Sequence, residues 1–236
     1  MARLAETYRE DAMTDILLIN PCDPKSIFQG LADEFTSVEP PVFCGLFATY
    51  LRKKGAQVAI VDAVAQGYTP EQVSDVVADL KPKIIALVVY GAQPSASTQN
   101  MSAAFAIAKA IAMNQKGVVT PIVMTGTHPA ALPKETLEQG GGYVTHVCDR
   151  EGPESIYRLW KWWTDDKSSS DESRLPSIWH RGVLGKIHAP RFAEPLIADL
   201  DESMAGVSWD LLDMSKYRSH NWHAFDHIDR RAPYAS

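Results

Sequence analysis

Four short segments of the chain carry small and polar residues that could bind a ligand. They begin at Pro21-Cys22, at Gly91, at Gly126-Thr127-His128-Pro129 and at Glu151-Gly152, each at or soon after the end of an apolar run. Glycine lets another molecule approach the backbone closely, while hydroxyl, imidazole and carboxyl groups supply hydrogen bonds. This set favours ligand binding over bond-making chemistry, and we assign no catalytic residue and no metal ligand.

The apolar runs before these segments are typical of buried parallel strands, and helical patterns separate them. Because parallel strands end at one edge of a sheet, the four segments should meet at one rim. We predict an α/β fold, flavodoxin-like or Rossmann-like, with a doubly wound parallel five-stranded sheet in the order 2-1-3-4-5. The predicted strands are Ile16–Asn20, Val58–Asp62, Ile84–Tyr90, Ile122–Thr125 and Tyr143–Val147.

Apolar residues at helical spacing predict five helices between and after these strands. The second has the clearest start, with Thr69 as N-cap, Pro70 at the first helical position and Gln72 completing a capping box. The others are expected around 43–51, 101–112, 133–139 and from Pro153 to about Trp163.

Composition places the chain among globular proteins and weighs against two classes of partner. Of the 236 residues 45% are hydrophobic, and the formal net charge is −6. Basic residues are scattered apart from Arg52-Lys53-Lys54, so no concentrated basic face indicates a nucleic-acid partner. No apolar stretch has the length of a bilayer span, and the first residues lack the apolar core of a signal peptide. We expect a cytoplasmic protein without nucleic-acid or membrane partners.

The cysteines and one long connection are open to two interpretations each. Cys22, Cys44 and Cys148 are odd in number and widely spaced, which does not predict a disulfide framework; Cys22 and Cys44 are better explained as buried small side chains than as nucleophiles. About 18 residues between Pro21 and Val38 show no convincing element. Such a loop is either a functional element near the first strand or a disordered insertion.

The C-terminal third differs in composition from the rest of the chain. We divide the sequence into an N-terminal extension (1–13), a ligand-binding domain (14–165), a linker with a small hairpin (166–198) and an irregular connector (199–236). The hairpin is predicted at 178–181 and 184–188, turning near Gly182. The connector contains His220, His223 and His227, whose spacing is loosely compatible with metal binding but lacks a convincing full ligand set.

Several short motifs follow one another along the chain: DILLINP at 15–21, PP at 40–41, TGTHPAALP at 125–133 and REGPE at 150–154, then IADLD at 197–201 and WDLLDM at 209–214 with Tyr217. Their order resembles the N-terminal cobalamin-binding domain of cobalamin-dependent radical S-adenosylmethionine enzymes. The later motifs resemble the connector that leads to the radical barrel in those enzymes. The resemblance covers nearly the whole chain from about residue 14.

The resemblance implies that the rim binds cobalamin and that the chain is a module supporting methyl transfer to a small molecule. A radical S-adenosylmethionine domain, in cis or in trans, would be its partner. The expected cofactor-binding residues are Pro21, Cys22, Pro41, Tyr90, Gly91, Thr98, Gly126, Thr127, His128, Pro129, Glu151 and Gly152. Several have a plainer explanation: the glycines could serve strand-end turns, Thr98 could cap a helix, and Glu151 could be favoured at a helix N-terminus.

Two departures from the related enzymes limit what the resemblance implies. Their Cys-x3-Cys-x2-Cys motif for a [4Fe–4S] cluster does not occur here, so the cluster and S-adenosylmethionine are expected only in a separate downstream domain. We interpret the chain as an N-terminal fragment or a stand-alone relative that is inactive alone. The Asp-x-His-x-x-Gly motif of cobalamin-dependent mutases is also missing, which implies base-off cobalamin without a histidine ligand. His128 could still bind a metal, bond a corrin amide or lie in a turn.

Other functional classes fit the sequence less well. A phospho-receiver domain needs acidic residues after the first strand and an aspartate after the third, where Tyr90-Gly91 stands instead. A dinucleotide-binding domain needs Gly-x-Gly-x-x-Gly after the first strand, which is also missing. A stand-alone, non-catalytic binding or interaction module of flavodoxin-like fold remains the alternative.

Overall fold

A computed structural model of the protein describes residues 13–21, 37–91, 94–115, 119–166, 172–182 and 184–218. Within these residues seven strands form one sheet in the order β2-β1-β3-β4-β5-β6-β7. The strands are β1 Ile16–Asn20, β2 Val58–Asp62, β3 Ile84–Val88, β4 Ile122–Thr125, β5 His146–Cys148, β6 Ile178–Arg181 and β7 Ile187–His188. The first five are parallel, and β6 and β7 run antiparallel to their neighbours.

Helices cover both faces of the parallel part. They are α1 Val42–Lys53, α2 Ala63–Gln66, α3 Pro70–Leu80, α4 Pro94–Asn114, α5 Thr127–Ala131, α6 Pro133–Gln139, α7 Pro153–Lys161 and α8 Leu200–Ser203. A π-helical turn at Trp162–Asp166 and 3₁₀ turns at Glu172–Arg174, Trp209–Leu211 and Met214–Lys216 complete the regular structure. No helix in the described ranges is long and apolar enough to cross a membrane.

Alternation along β1, an interior strand of the sheet, explains the two helical layers. Leu17 and Ile19 pack with α3 and α4 on one face, whereas Ile16 and Leu18 pack with α1 and α7 on the other. A strand whose residues are all apolar can fill both layers, because successive side chains point to opposite faces. The predicted fold class and the order of the five parallel strands are therefore confirmed.

The capping box of α3 and the span of α6 are also as predicted. The backbone N–H of Thr69 donates to Gln72 Oε1 at 2.9 Å, and the N–H of Gln72 donates to Thr69 Oγ1 at 3.3 Å. The predicted strand Tyr143–Val147 is wrong in its bounds. Gly141 and Gly142 have positive φ, so the turn after α6 extends past Tyr143 and delays β5 to His146.

The predicted five-stranded sheet is too small because the hairpin extends it. β6 pairs with β5 in the register His146↔His180, and β7 pairs with β6 in the register His180↔His188. Two side-chain contacts hold β6 and the preceding turn to β5: Trp179 Nε1 donates to Asp149 Oδ2 at 3.0 Å, and His146 Nε2 lies 2.6 Å from Glu172 Oε1.

Residues 194–218, which we call the strap, follow α1 on the surface of the domain. Ser208 N–H donates to Gly45 O at 3.2 Å, Thr49 Oγ1 donates to Gly206 O at 2.7 Å, and Lys53 Nζ donates to Glu202 O at 2.5 Å. The apolar strap residues Ile197, Met204, Leu211 and Leu212 pack against the α1–α7 side of the core. The described part of the predicted connector thus packs on its own chain; residues 219–236, with the three histidines, lie outside the described residues.

Candidate functional site

The carboxyl ends of β1 to β5 form one rim, as parallel strands require. Pro21 follows β1 and is buried, Pro41 precedes α1 and is half-buried, and Gly91 follows the end of β3. The segments 126–129 and 151–152 follow β4 and β5. The structure therefore brings these predicted site residues to one edge of the sheet, while Cys22 lies outside the described residues.

Two neighbouring residues of α4 hold the segment after β4. The Ser97 hydroxyl donates to Val89 O at 2.5 Å and accepts from the backbone N–H of His128 at 2.9 Å. Thr98 Oγ1 lies 3.0 Å from Nδ1 of the same histidine. The segment is the first turn of α5, with Thr127 exposed and Pro129 buried. His128 is therefore oriented by α4, and the plain capping role considered for Thr98 does not account for its contact.

Tyr90 forms part of an aromatic group at the centre of the rim. Its ring stacks on Phe43 at 4.0 Å between centroids and meets Phe47 edge-on at 6.0 Å. Asn100 Nδ2 donates to Tyr90 O at 2.9 Å, which fixes the backbone after β3. Burial raises the pKa of the Tyr90 phenol, so the group stays neutral at physiological pH. Phe43 remains 40% exposed and is open to a ligand.

The three rim glycines are required by packing within the chain. A Cβ on Gly126 would overlap the carbonyl group of Val89, one on Gly152 would overlap the Thr125 hydroxyl, and one on Gly91 would overlap Ala96. Gly126 and Gly152 also have positive φ, of 138° and 98°. Neighbouring strands and helices therefore leave no room for a side chain at these three positions. The glycines are explained by this packing, without a ligand that approaches the backbone.

The carboxylate of Glu151 binds the strap. Its Oε2 accepts a hydrogen bond from the backbone N–H of Ile197 at 2.8 Å. Glu151 therefore makes two interactions: its negative charge is favourable near the N-terminus of α7, and its carboxylate accepts a specific long-range hydrogen bond. Sequence reasoning placed Glu151 in the site but could not identify this partner, which is 46 residues away along the chain.

A buried carboxylate at the end of β2 was missed by sequence reasoning. Asp62 Oδ1 accepts from Asn20 Nδ2 at 3.0 Å and from the backbone N–H groups of Val64 and Ala65 at 3.1 and 3.3 Å. Its Oδ2 accepts from the Tyr217 hydroxyl at 3.0 Å. An aspartate directly before a helical turn is an N-cap signal, but the contact with residue 217 leaves no local trace in the sequence.

A second buried carboxylate lies near the end of β5. Glu194 is 4% exposed, and its backbone N–H donates to Ser177 Oγ at 3.0 Å. Burial, opposed in part by Ser155, raises the pKa of Glu194 from its ordinary value of 4.5 to about 7. Its Oε2 has no hydrogen-bond partner in the described part of the chain. Its backbone contact joins the start of the strap to Ser177, in the turn before β6.

Comparison with known proteins places this rim in a family context. The family model described as the B12 binding domain matches residues 29–159. The radical S-adenosylmethionine methyltransferase TsrM from Kitasatospora setae, solved with tryptophan substrate and an S-adenosylmethionine analogue, superposes with a TM-score of 0.57 at 17% identity, over 76% of this chain and 30% of TsrM. The cobalamin-dependent S-adenosylmethionine radical enzyme OxsB, solved with aqua-cobalamin and S-adenosylmethionine, gives 0.59 at 19% identity, over 86% of this chain and 25% of OxsB.

These structural likenesses, below 25% identity, establish the fold, and the chain spans under a third of the length of either enzyme. No curated protein sequence matches the chain. The family match covers more than half of the chain and includes the ends of β3, β4 and β5. The chain belongs to the B12-binding domain family.

Proposed function

We propose that the protein binds cobalamin at the carboxyl rim of its parallel sheet. The observation that carries the proposal is the family match over residues 29–159, combined with a rim at which the predicted site residues meet. Two proteins of similar fold add support, since OxsB was solved with aqua-cobalamin and TsrM with cobalamin and a [4Fe–4S] cluster.

The rim residues fit such a cofactor in their chemistry. Cobalamin presents a broad, largely apolar macrocycle fringed by amides, together with a phosphate. Exposed Phe43 and Val42 offer an apolar surface, 40% and 43% accessible. Thr127 is exposed after β4, and His128 Nε2 has no partner among the described residues, which leaves polar groups for amides or phosphate.

We extend the proposal to the coordination of cobalt, which we expect to be base-off and without a histidine from this chain. No histidine occurs between Asn20 and Val38, the stretch after β1 that would carry the Asp-x-His-x-x-Gly ligand. His128 contacts Thr98 through Nδ1 and keeps Nε2 open, so the coordination experiment below tests this histidine directly. Its role in the proposal is to bond the periphery of the cofactor.

Methyl transfer together with a radical S-adenosylmethionine domain, in cis or in trans, is the function we infer for this module. When bound, cobalamin would carry the methyl group that is transferred. The chain's own residues would hold that carrier, with Tyr90 and Phe43 excluding water and His128 and Thr127 orienting the periphery. Cys44 and Cys148 are buried and unbridged, which suits the reducing cytoplasm that we propose as the location.

Cobalamin binding is tested by reconstituting the purified chain with hydroxocobalamin and removing free cofactor by desalting. We expect a corrin absorption spectrum that elutes with the folded protein. Thr127→Trp, which adds bulk at an exposed rim position, should weaken retention about tenfold or more by steric exclusion. Lys109→Trp adds the same bulk at an exposed position of α4 away from the rim and is the control. Folded protein without retained corrin would show that the proposed function is wrong.

Coordination is tested by electron paramagnetic resonance of the cob(II)alamin form. We expect no superhyperfine splitting from a lower nitrogen ligand, in the native chain as in His128→Ala. A nitrogen triplet that disappears in His128→Ala would identify His128 as the cobalt ligand and refute this part of the proposal.

A further inference from the structure

Hydrogen bonds attach the strap to both sides of the rim. At the β5 side the backbone of Ile197 donates to Glu151. At the β2 side the hydroxyl of Tyr217 donates to Asp62. Since β2 and β5 are the outer strands of the parallel part, the strap joins the two flanks of the candidate site.

The β2 contact is buried and specific. Tyr217 is 4% exposed and Asp62 likewise 4%. Among the described residues, the Tyr217 hydroxyl is the donor that reaches Oδ2 of Asp62, whereas Oδ1 already accepts three hydrogen bonds. Removing that hydroxyl would take the donor from a buried carboxylate oxygen, which is costly because burial shields that oxygen from solvent.

The end of the strap, Tyr217 and Arg218, holds both sides of the connection between β1 and α1. Asn20, at the end of β1, donates to the carboxylate that Tyr217 binds. Arg218, the next residue of the strap, exchanges two backbone hydrogen bonds with Val38, at 2.9 and 3.0 Å. Pro21 and Pro41, two of the predicted site residues, therefore lie within one to three residues of groups fixed by the strap.

We propose that Tyr217 is a positioning residue of the cobalamin site: it fixes the β1–β2 side of the rim through Asp62, and the strap is thus part of the binding unit. The proposal rests on the proposed function for its effect on cobalamin. Tyr217 acts on Asn20 through Asp62, while its neighbour Arg218 holds Val38, and Tyr217 need not touch the cofactor.

The test is Tyr217→Phe in the full chain, with two independent measurements. Hydrogen–deuterium exchange without cofactor should show faster exchange in peptides that contain residues 14–21 and 37–41, while the strands β3 and β4 keep their protection. Cobalamin affinity, measured by titration with hydroxocobalamin, should fall about tenfold, because binding would have to order the loosened β1–β2 side of the rim.

Tyr50→Phe is the matched control. Tyr50 is also buried, and its hydroxyl donates to a carboxylate, Glu154, at 2.6 Å, but it links α1 to α7 instead of the strap to β2. We expect this control to leave exchange at 14–21 and 37–41 unchanged and to weaken cobalamin binding by less than Tyr217→Phe.

Three results would overturn the inference. Unchanged exchange in Tyr217→Phe would mean that its hydroxyl fixes nothing at the rim, and exchange that rises evenly over the whole sheet would make Tyr217 a general stability residue. Local loosening with unchanged cobalamin affinity would show that the fixed region does not shape the site. If the wild type binds no cobalamin, the proposed function fails, and Tyr217 then positions no cobalamin site; the exchange data show separately whether its local contact exists.

Discussion

Gly126 shows how a single rim residue is constrained by the fold before any ligand is considered. Its φ of 138° is unfavourable for other residues, and a Cβ would overlap the backbone of Val89. We expect Gly126→Ala to lower the free energy of unfolding by about 3 kcal/mol or more, because strain and overlap add. Urea denaturation followed by circular dichroism measures this change.

The matched control is Gly142→Ala, where φ is also positive, at 89°, but a Cβ would meet open space. Here the conformational cost alone applies, about 1–2 kcal/mol. Equal losses in the two variants would show that Gly126 is not packed against Val89 as described. The contrast also means that bulk added at Gly126 is a poor probe of ligand binding, since it disturbs the fold first.

Glu194 predicts an unusual pH dependence of stability. Its pKa is raised in the folded state from 4.5 to about 7. Between these two pH values the folded protein therefore keeps a proton on Glu194 that the unfolded chain has released. The contribution is therefore fully favourable below pH 4.5 and is lost as the pH rises towards 7. By linkage the loss is at most about 3 kcal/mol.

Urea denaturation of Glu194→Gln between pH 4.5 and 8 measures that contribution. The variant should lose much of the decline in stability across this range and be the more stable protein at pH 8, since glutamine needs no proton. Glu202→Gln is the control, because the Glu202 side chain is 76% exposed. A decline that persists unchanged in Glu194→Gln would contradict the role assigned to this carboxyl group.

Rim residues could be predicted where the neighbouring sequence indicates their position, and they were missed where their position depends on a distant part of the chain. The segment Gly126-Thr127-His128-Pro129 was found because its residue types follow a strand end. The partners of Asp62 and Glu151 were not found, because Tyr217 and Ile197 lie 155 and 46 residues away. Such contacts depend on the path of the strap, which has no periodic pattern that predicts where it packs.

Among the elements, α1 and the strap are packed more closely than their sequences indicate. Gly45 lies inside α1, where alanine would ordinarily stabilise a helix by about 1 kcal/mol. Here a Cβ would overlap the side chain of Val207 in the strap. Since valine is stiff at χ1, we expect Gly45→Ala to destabilise the protein by about 1–2 kcal/mol net.

A double-mutant cycle with Val207→Ala tests this packing by thermal and urea denaturation. With the smaller side chain in the strap, Gly45→Ala should become neutral or stabilising, giving a coupling of about 1–3 kcal/mol. Additive effects of the two substitutions would mean that the strap does not lie against α1 in solution. Arg52→Ala, which removes an exposed ion pair with Asp210, should change stability by less than about 1 kcal/mol.

Strands and helices with strong local signals were predicted well, and elements defined by pairing were not. The capping box of α3 and the span of α6 needed only local information. The hairpin was recognised, but its antiparallel pairing with β5 was not, because period and turn residues do not say which edge a hairpin joins. Contacts such as Trp179 with Asp149 make that choice.

At the scale of the whole molecule, the pairing of the strands determines which segments the folded domain must include. β1 lies between β2 and β3 and pairs with both, and its residues fill both core layers. β6 and the strap then complete the β5 edge and the surface of α1. The sequence predicted this doubly wound order from alternating strands and helices, because short crossovers leave few other topologies.

The position of β1 has a practical consequence for anyone who wishes to express the domain. The matched family region begins at residue 29, after β1, so a recombinant fragment of 29–159 would lack the interior strand that pairs with both β2 and β3. We expect that fragment to aggregate or remain unfolded, whereas 13–218 should unfold cooperatively in a calorimeter. A sharp heat-absorption peak from 29–159 alone would contradict this. Boundaries for crystallisation, fusion proteins or grafting onto another enzyme should accordingly follow the hydrogen-bonded sheet and its strap, not the extent of sequence similarity.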